Sequence, residues 1–187
     1  MKKLFTLVVA AFAALSVSAK EDIDISSIAT DNVVTFDGQW QWKGINYGST
    51  DEATGETTYA DKSAFDYVVF EYTTGTCAEV NLIAQYEKDG TTGQYGANYY
   101  TSTETSTVFP AGGILAVKLD AAHSKTMNAV ALQNRNTVGA ITIKAAYFAS
   151  EAEYEEAKAT ADKIEKTFEI DATGGTHELK AKDWGWD

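Results

Sequence analysis

Asp66-Tyr67-Val68-Val69-Phe70-Glu71-Tyr72 decides the fold. Its β-branched and aromatic residues favour an extended chain. The middle, Val68-Val69-Phe70, is apolar at consecutive positions, so both faces of this strand are covered and it belongs in the interior of a sheet. Working outward, β-rich runs recur at 33–37, 79–86, 98–108, 114–119, 127–133 and 140–148, separated by clusters of Gly, Asn, Asp and Thr. No long helical period interrupts them. Glu87-Lys88-Asp89-Gly90 reads as a hairpin turn, because Asp-Gly tolerates positive φ cheaply, and Gly112-Gly113 reads as a reversal after Pro110. Short strands at this spacing predict an all-β fold: a two-sheet antiparallel β-sandwich, jelly-roll-like, with a short C-terminal helix.

Alternation assigns the faces. In 79–86, Val80, Leu82, Ala84 and Tyr86 point one way, and Asn81, Ile83 and Gln85 the other. In 140–148, strict alternation predicts a core row of Ile141, Ile143, Ala145 and Tyr147, with Thr142 and Lys144 outside. The pattern changes at Ser150-Glu151-Ala152-Glu153, a capping box that opens a helix rich in Ala, Glu and Lys. With only Tyr154 and Ile164 as large apolar residues, it reads as a thin amphipathic or linker helix.

The N-terminus carries a different signal. Lys2 and Lys3 precede an apolar stretch that closes on Val17-Ser18-Ala19, the small-residue pattern of a signal-peptidase site. The stretch is too short to span a bilayer and runs at once into Lys20, Glu21 and Asp22. The expected organisation is therefore a signal peptide at 1–19, a β-sandwich domain at 20–149, a helix or linker at 150–166, and at 167–187 either terminal strands or the start of a truncated second repeat. The last alternative comes from the tryptophans, which occur only as two Trp-x-Trp pairs, Trp40/Trp42 and Trp184/Trp186. The expected location is secreted: extracellular, periplasmic or at the cell surface, without membrane insertion.

Charge narrows the partners. The chain carries a formal net charge of −12, made more acidic when Lys2 and Lys3 leave with the leader. An acidic surface repels phosphate backbones and anionic membranes, so nucleic acid is not expected as a partner. Cys77 is the single cysteine, so no internal disulfide forms; it reads as a half-buried, inert thiol.

Catalysis finds little support. His123 and His177 sit in no nucleophile or metal-ligand spacing, and the abundant carboxylates fall mostly in turns and the helix. No cofactor, metal or calcium loop is expected. Binding finds more. An indole offers a flat apolar face that matches the C–H face of a pyranose, with an N–H left to hydrogen-bond. Covering roughly 100 Å² is worth on the order of 2.5 kcal/mol per ring before ordering costs. Trp40 and Trp42, two apart on an extended stretch, are expected to share a face, unless they pack as core at a sheet edge. Asn81, Gln85, Gln133 and Arg135, the sole arginine, are the expected readers of hydroxyl groups. Asn134 either joins them or satisfies backbone groups at a strand end. Tyr95, Tyr99 and Tyr100 form a second aromatic group.

The runs Asp66-Tyr67-Val68-Val69-Phe70-Glu71-Tyr72, Leu115-Ala116-Val117-Lys118-Leu119-Asp120, Ala131-Leu132-Gln133-Asn134 and Gly139-Ala140-Ile141-Thr142-Ile143 together resemble carbohydrate-binding jelly-roll modules of secreted polysaccharide-degrading proteins from gut and rumen bacteria. The resemblance implies a sugar lying across a concave sheet face lined by aromatics and amides, and an attached or associated glycoside hydrolase. The expected function is non-catalytic binding of a neutral polysaccharide of β-glucan or hemicellulose type. The alternatives are a structural or adhesive surface module and a glycoside hydrolase.

Overall fold

The computed structural model describes residues 20–77, 79–87, 100–102, 106–107, 112–135 and 137–167. The expected leader, the Lys88–Gly90 part of the first hairpin turn, Pro110, Tyr95, Tyr99, His177 and the Trp184/Trp186 pair lie outside the described residues. In chain order the elements are β1 (Glu21–Asp22), β2 (Val33–Phe36), β3 (Trp42–Asn46), β4 (Ser49–Thr50), β5 (Thr57–Thr58), β6 (Tyr67–Gly75), β7 (Glu79–Tyr86), β8 (Tyr100–Ser102), β9 (Ser106–Thr107), β10 (Gly113–Lys118), β11 (Met127–Asn134), β12 (Gly139–Ala149) and α1 (Glu151–Thr167), with a short 3-10 turn at Ser124–Thr126.

The strands form two antiparallel sheets. The first runs β1-β12-β6-β10, with β2 also pairing β12; the second runs β3-β11-β7-β8, with β9 also pairing β7. β4 and β5 make a separate small hairpin. One buried cluster draws on both sheets: Val34, Val68, Phe70, Leu115 and Phe148 from the first meet Val80, Leu82, Tyr86, Val130 and Leu132 from the second. This is a β-sandwich core, in which each fully buried aliphatic or aromatic side chain is worth about 1.5–3 kcal/mol.

The apolar run around Val69 is central, flanked by β12 and β10. Val68 and Phe70 face the inter-sheet core. Val69 faces the other way, into a second cluster with Tyr147 and Ala149, against which Tyr67, Ala116 and the helix residue Tyr154 pack. The two-sided apolarity of the strand thus serves the sandwich on one side and α1 on the other. The capping box holds: Glu153 Oε2 accepts from the Ser150 N–H at 2.9 Å, and Ser150 Oγ from the Glu153 N–H at 3.4 Å. Tyr154 stacks on Tyr67 at 4.1 Å between centroids, and Glu151 accepts from Tyr67 Oη and Lys118 Nζ.

The expected core row of β12 holds only in part. Ile141 and Ile143 face the inter-sheet core, but Ala145 and Tyr147 belong to the helix-side cluster, and Ala146 and Phe148 take the inward places. The cause is a bulge: Ile143 pairs Tyr72 and Ala145 pairs Glu71, so Lys144 is an extra residue that switches the alternation.

Candidate functional site

Register gathers residues that are far apart in sequence. On β3, β11 and β7, Trp42 pairs Gln133 and Gln133 pairs Asn81, giving one cross-strand row. Ile45, Val80, Leu82, Val130 and Leu132 fill the core, so this row has the parity of the opposite, outward face. Neighbours in such a row stand about 5 Å apart. The Trp42 indole folds along its own strand over Gly44, whose missing side chain leaves room for it. Gln133 is only 6% exposed and lies low between its neighbours. The Asn81 side-chain oxygen is shielded from water and has no hydrogen-bond partner among the described residues, a state that costs free energy.

Gln85 is not part of this row. It lies four residues further along β7, about 13 Å away at the rise of a strand. It pairs Ala129, and its Oε1 accepts from Asn128 Nδ2 at 2.8 Å. Of Tyr100, only the backbone position on β8, opposite Gln85, is described.

Trp40 departs from the extended stretch expected of it. It occupies a bend before β3 and has φ +59°, a left-handed conformation that bulky residues rarely adopt. Its N–H donates to the Arg135 carbonyl at 3.2 Å, and the Arg135 guanidinium carbon lies 5.6 Å from its ring centroid, within range of a cation–π attraction. Trp40 is 50% exposed, Trp42 36% and Val138 56%; among the described residues these are the exposed large hydrophobic side chains. The core alternative for the tryptophans therefore does not describe them.

Asn134 ties together the backbone segments that carry them. It has the inward parity of Leu132 and is wholly buried, so its amide needs partners. Nδ2 donates to Gly38 O and Thr137 O, both at 2.7 Å, and Oδ1 accepts from Gln41 N at 2.7 Å. Of the two readings of Asn134, the structure shows the one that satisfies backbone groups. Gln41 closes the bend on itself, its Oε1 accepting from Asp37 N at 2.8 Å.

Comparison with known proteins finds no family model, curated protein or solved structure that matches the chain.

Among the described residues, no group of three or more His, Cys, Asp or Glu is placed to hold a metal ion, and no helix is long and apolar enough to cross a membrane. The carboxyls of Asp24, Asp51, Asp61 and Glu71 are all held below their ordinary range. Hydrogen bonds from neighbouring backbone and Ser or Thr groups do this for the three aspartates. Burial, the largest influence on Glu71, pushes it up; bonds from Lys144 and Tyr147, with lysine charge nearby, together outweigh it. Cys77 is wholly buried, deeper than the half-buried position expected of it, its thiol donating to Thr137 O at 3.2 Å. A groove of about 360 Å³ lies between α1 and the first sheet. Glu71 on its wall already accepts from Lys144 Nζ at 2.9 Å and Tyr147 Oη at 2.7 Å.

Proposed function

We propose that this domain binds a neutral polysaccharide of β-glucan or hemicellulose type, without cleaving it, by stacking sugar rings on Trp40 and Trp42. The observation that carries the reading is the exposure of both indoles at one end of the second sheet, beside Arg135 and the Gln133–Asn81 amide pair. A half-exposed indole is costly to leave in water and suits the apolar face of a pyranose. The Arg135 guanidinium beside Trp40 supplies donors for the hydroxyl groups around that face. The N-terminal pattern at 1–19 supports export, where such a module meets its polysaccharide, in company with or attached to a glycoside hydrolase.

Affinity gel electrophoresis of the purified domain against glucan, xylan and mannan tests the proposal. Retardation by at least one, with no reducing sugar released, supports it. No retardation by any of the three leaves an adhesive or structural surface module as the better reading, and release of reducing sugar decides for a hydrolase.

A further inference from the structure

We infer that Asn134 is a positioning residue for the indole pair: its buried amide sets the presentation of Trp40 and Trp42 without meeting the ligand. The consequence for binding rests on the glycan reading above; the consequence for the indoles does not. Gln41 lies between the two tryptophans, and its N–H is held by Asn134 Oδ1, while Gly38, two residues before Trp40, is held through its carbonyl by Asn134 Nδ2. The third bond, to Thr137 O, ties in the loop that carries Val138. One side chain thus links the bend before β3 to the loop after β11, across more than ninety residues of sequence.

The backbone it fixes does not hold itself. Trp40 sits at φ +59°, and such a conformation persists in a bulky residue only where its surroundings over-determine it. Here the surroundings are the three Asn134 bonds, the Gln41–Asp37 closure and the Trp40–Arg135 backbone bond. No other residue type reproduces the Asn134 set in that space. Aspartate keeps the acceptor for Gln41 N but turns a carboxylate toward two carbonyl oxygens; alanine loses all three bonds. Removal of the amide therefore frees the bend, and Trp40 and Trp42 leave their present positions.

The experiment uses the full domain carrying Trp184→Phe and Trp186→Phe, so that only Trp40 and Trp42 fluoresce. Asn134→Ala is compared with this parent by acrylamide quenching, near-ultraviolet circular dichroism and retardation by the polysaccharide that the parent binds. Expected are changed quenching, a reduced near-ultraviolet tryptophan signal, and at least tenfold weaker retardation in a protein that still unfolds cooperatively. Val117→Ala, a core change on β10 at the edge of the first sheet away from β2, is the control for lost stability and must leave all three readouts unaltered. If Asn134→Ala does not fold, Asn134→Asp, which keeps the acceptor for Gln41 N and loses both donors, must shift the same readouts in the same direction. Folded Asn134→Ala with unchanged quenching and tryptophan dichroism overturns the inference, as does unchanged quenching in Asn134→Asp where that variant stands in. A parent that no polysaccharide retards defeats the glycan reading alone, because the spectroscopic comparison still decides whether Asn134 positions the indoles.

Discussion

Trp40 and Arg135 hold each other twice, through the backbone bond at 3.2 Å from the Trp40 N–H to the Arg135 carbonyl and through the guanidinium over the indole at 5.6 Å. Both contacts belong to a residue in a left-handed conformation, which costs a residue with a Cβ roughly 1–2 kcal/mol. Glycine carries almost none of that cost. Trp40→Gly is therefore expected to be more stable than Trp40→Ala by about 1 kcal/mol, read from urea midpoints, although both lose the ring. Equal midpoints, or the reverse order, would show that the bend carries no such strain.

Trp42 makes a separate prediction. Trp42→Ala is expected to weaken polysaccharide binding by roughly 1–3 kcal/mol while leaving the fold intact, since the lost area lies on the outward face. Gly44→Ala reaches the same ring without touching its chemistry: a Cβ there collides with the indole Nε1, and the ring must turn away. Its binding should fall toward that of Trp42→Ala. A folded Trp40→Ala/Trp42→Ala double variant with unaltered retardation moves the site to another surface.

Lys62 is buried, pairs with Glu21, and places its ammonium 4.8 Å from the Phe148 ring centroid and 5.3 Å from that of Tyr47. Burial, then the charges of Glu21 and Asp24, pushes the Tyr47 hydroxyl up to about 12. The lysine stem packs as apolar surface while its head holds strand β1 against the sandwich. Lys62→Met keeps most of the packing and Lys62→Ala loses it, so the alanine variant should be the less stable by about 1–3 kcal/mol in thermal or urea unfolding. If the two are equally destabilised, the charge outweighs the packing.

Glu71 predicts part of the acid limb. Its folded carboxyl is held low, so its contribution is complete above the ordinary carboxylate range and is lost as pH falls through the folded value. Glu71→Gln keeps the shape and an acceptor for Tyr147 but cannot pair with Lys144. As pH falls below about 5, the parent should lose more stability than the variant. Parallel urea-midpoint profiles below that pH would remove Glu71 from the account.

The sequence shows the sandwich where side chains alternate without interruption. β7 is the clearest case, with Val80, Leu82, Ala84 and Tyr86 all in the inter-sheet core. β3 is hard to see because Ile45 is its only residue in that core, and β1 because it has two residues. The β12 faces change at Lys144, and a bulge leaves no mark in composition. The tryptophans announce themselves by chemistry, but their surroundings do not. That Gln133 sits between Trp42 and Asn81, and that Gln85 stands apart, follows from pairing between distant strands. The left-handed Trp40 is hidden for a related reason: glycine is the usual sign of that conformation, and here long-range bonds to Asn134 and Arg135 impose it on a bulky residue.

The irregular stretch of β12 has a counterpart on its neighbour. Thr142 pairs Thr74 and Ile143 pairs Tyr72, so Thr73 of β6 is skipped just before Lys144 is skipped on the other side. The two offsets cancel, and beyond them Ala146 meets Phe70 as though neither surplus residue were there. Length in these strands is therefore jointly constrained: deletion of Thr73 or Lys144 singly leaves the ladder out of step from that point on, whereas loss of both restores an unbroken one.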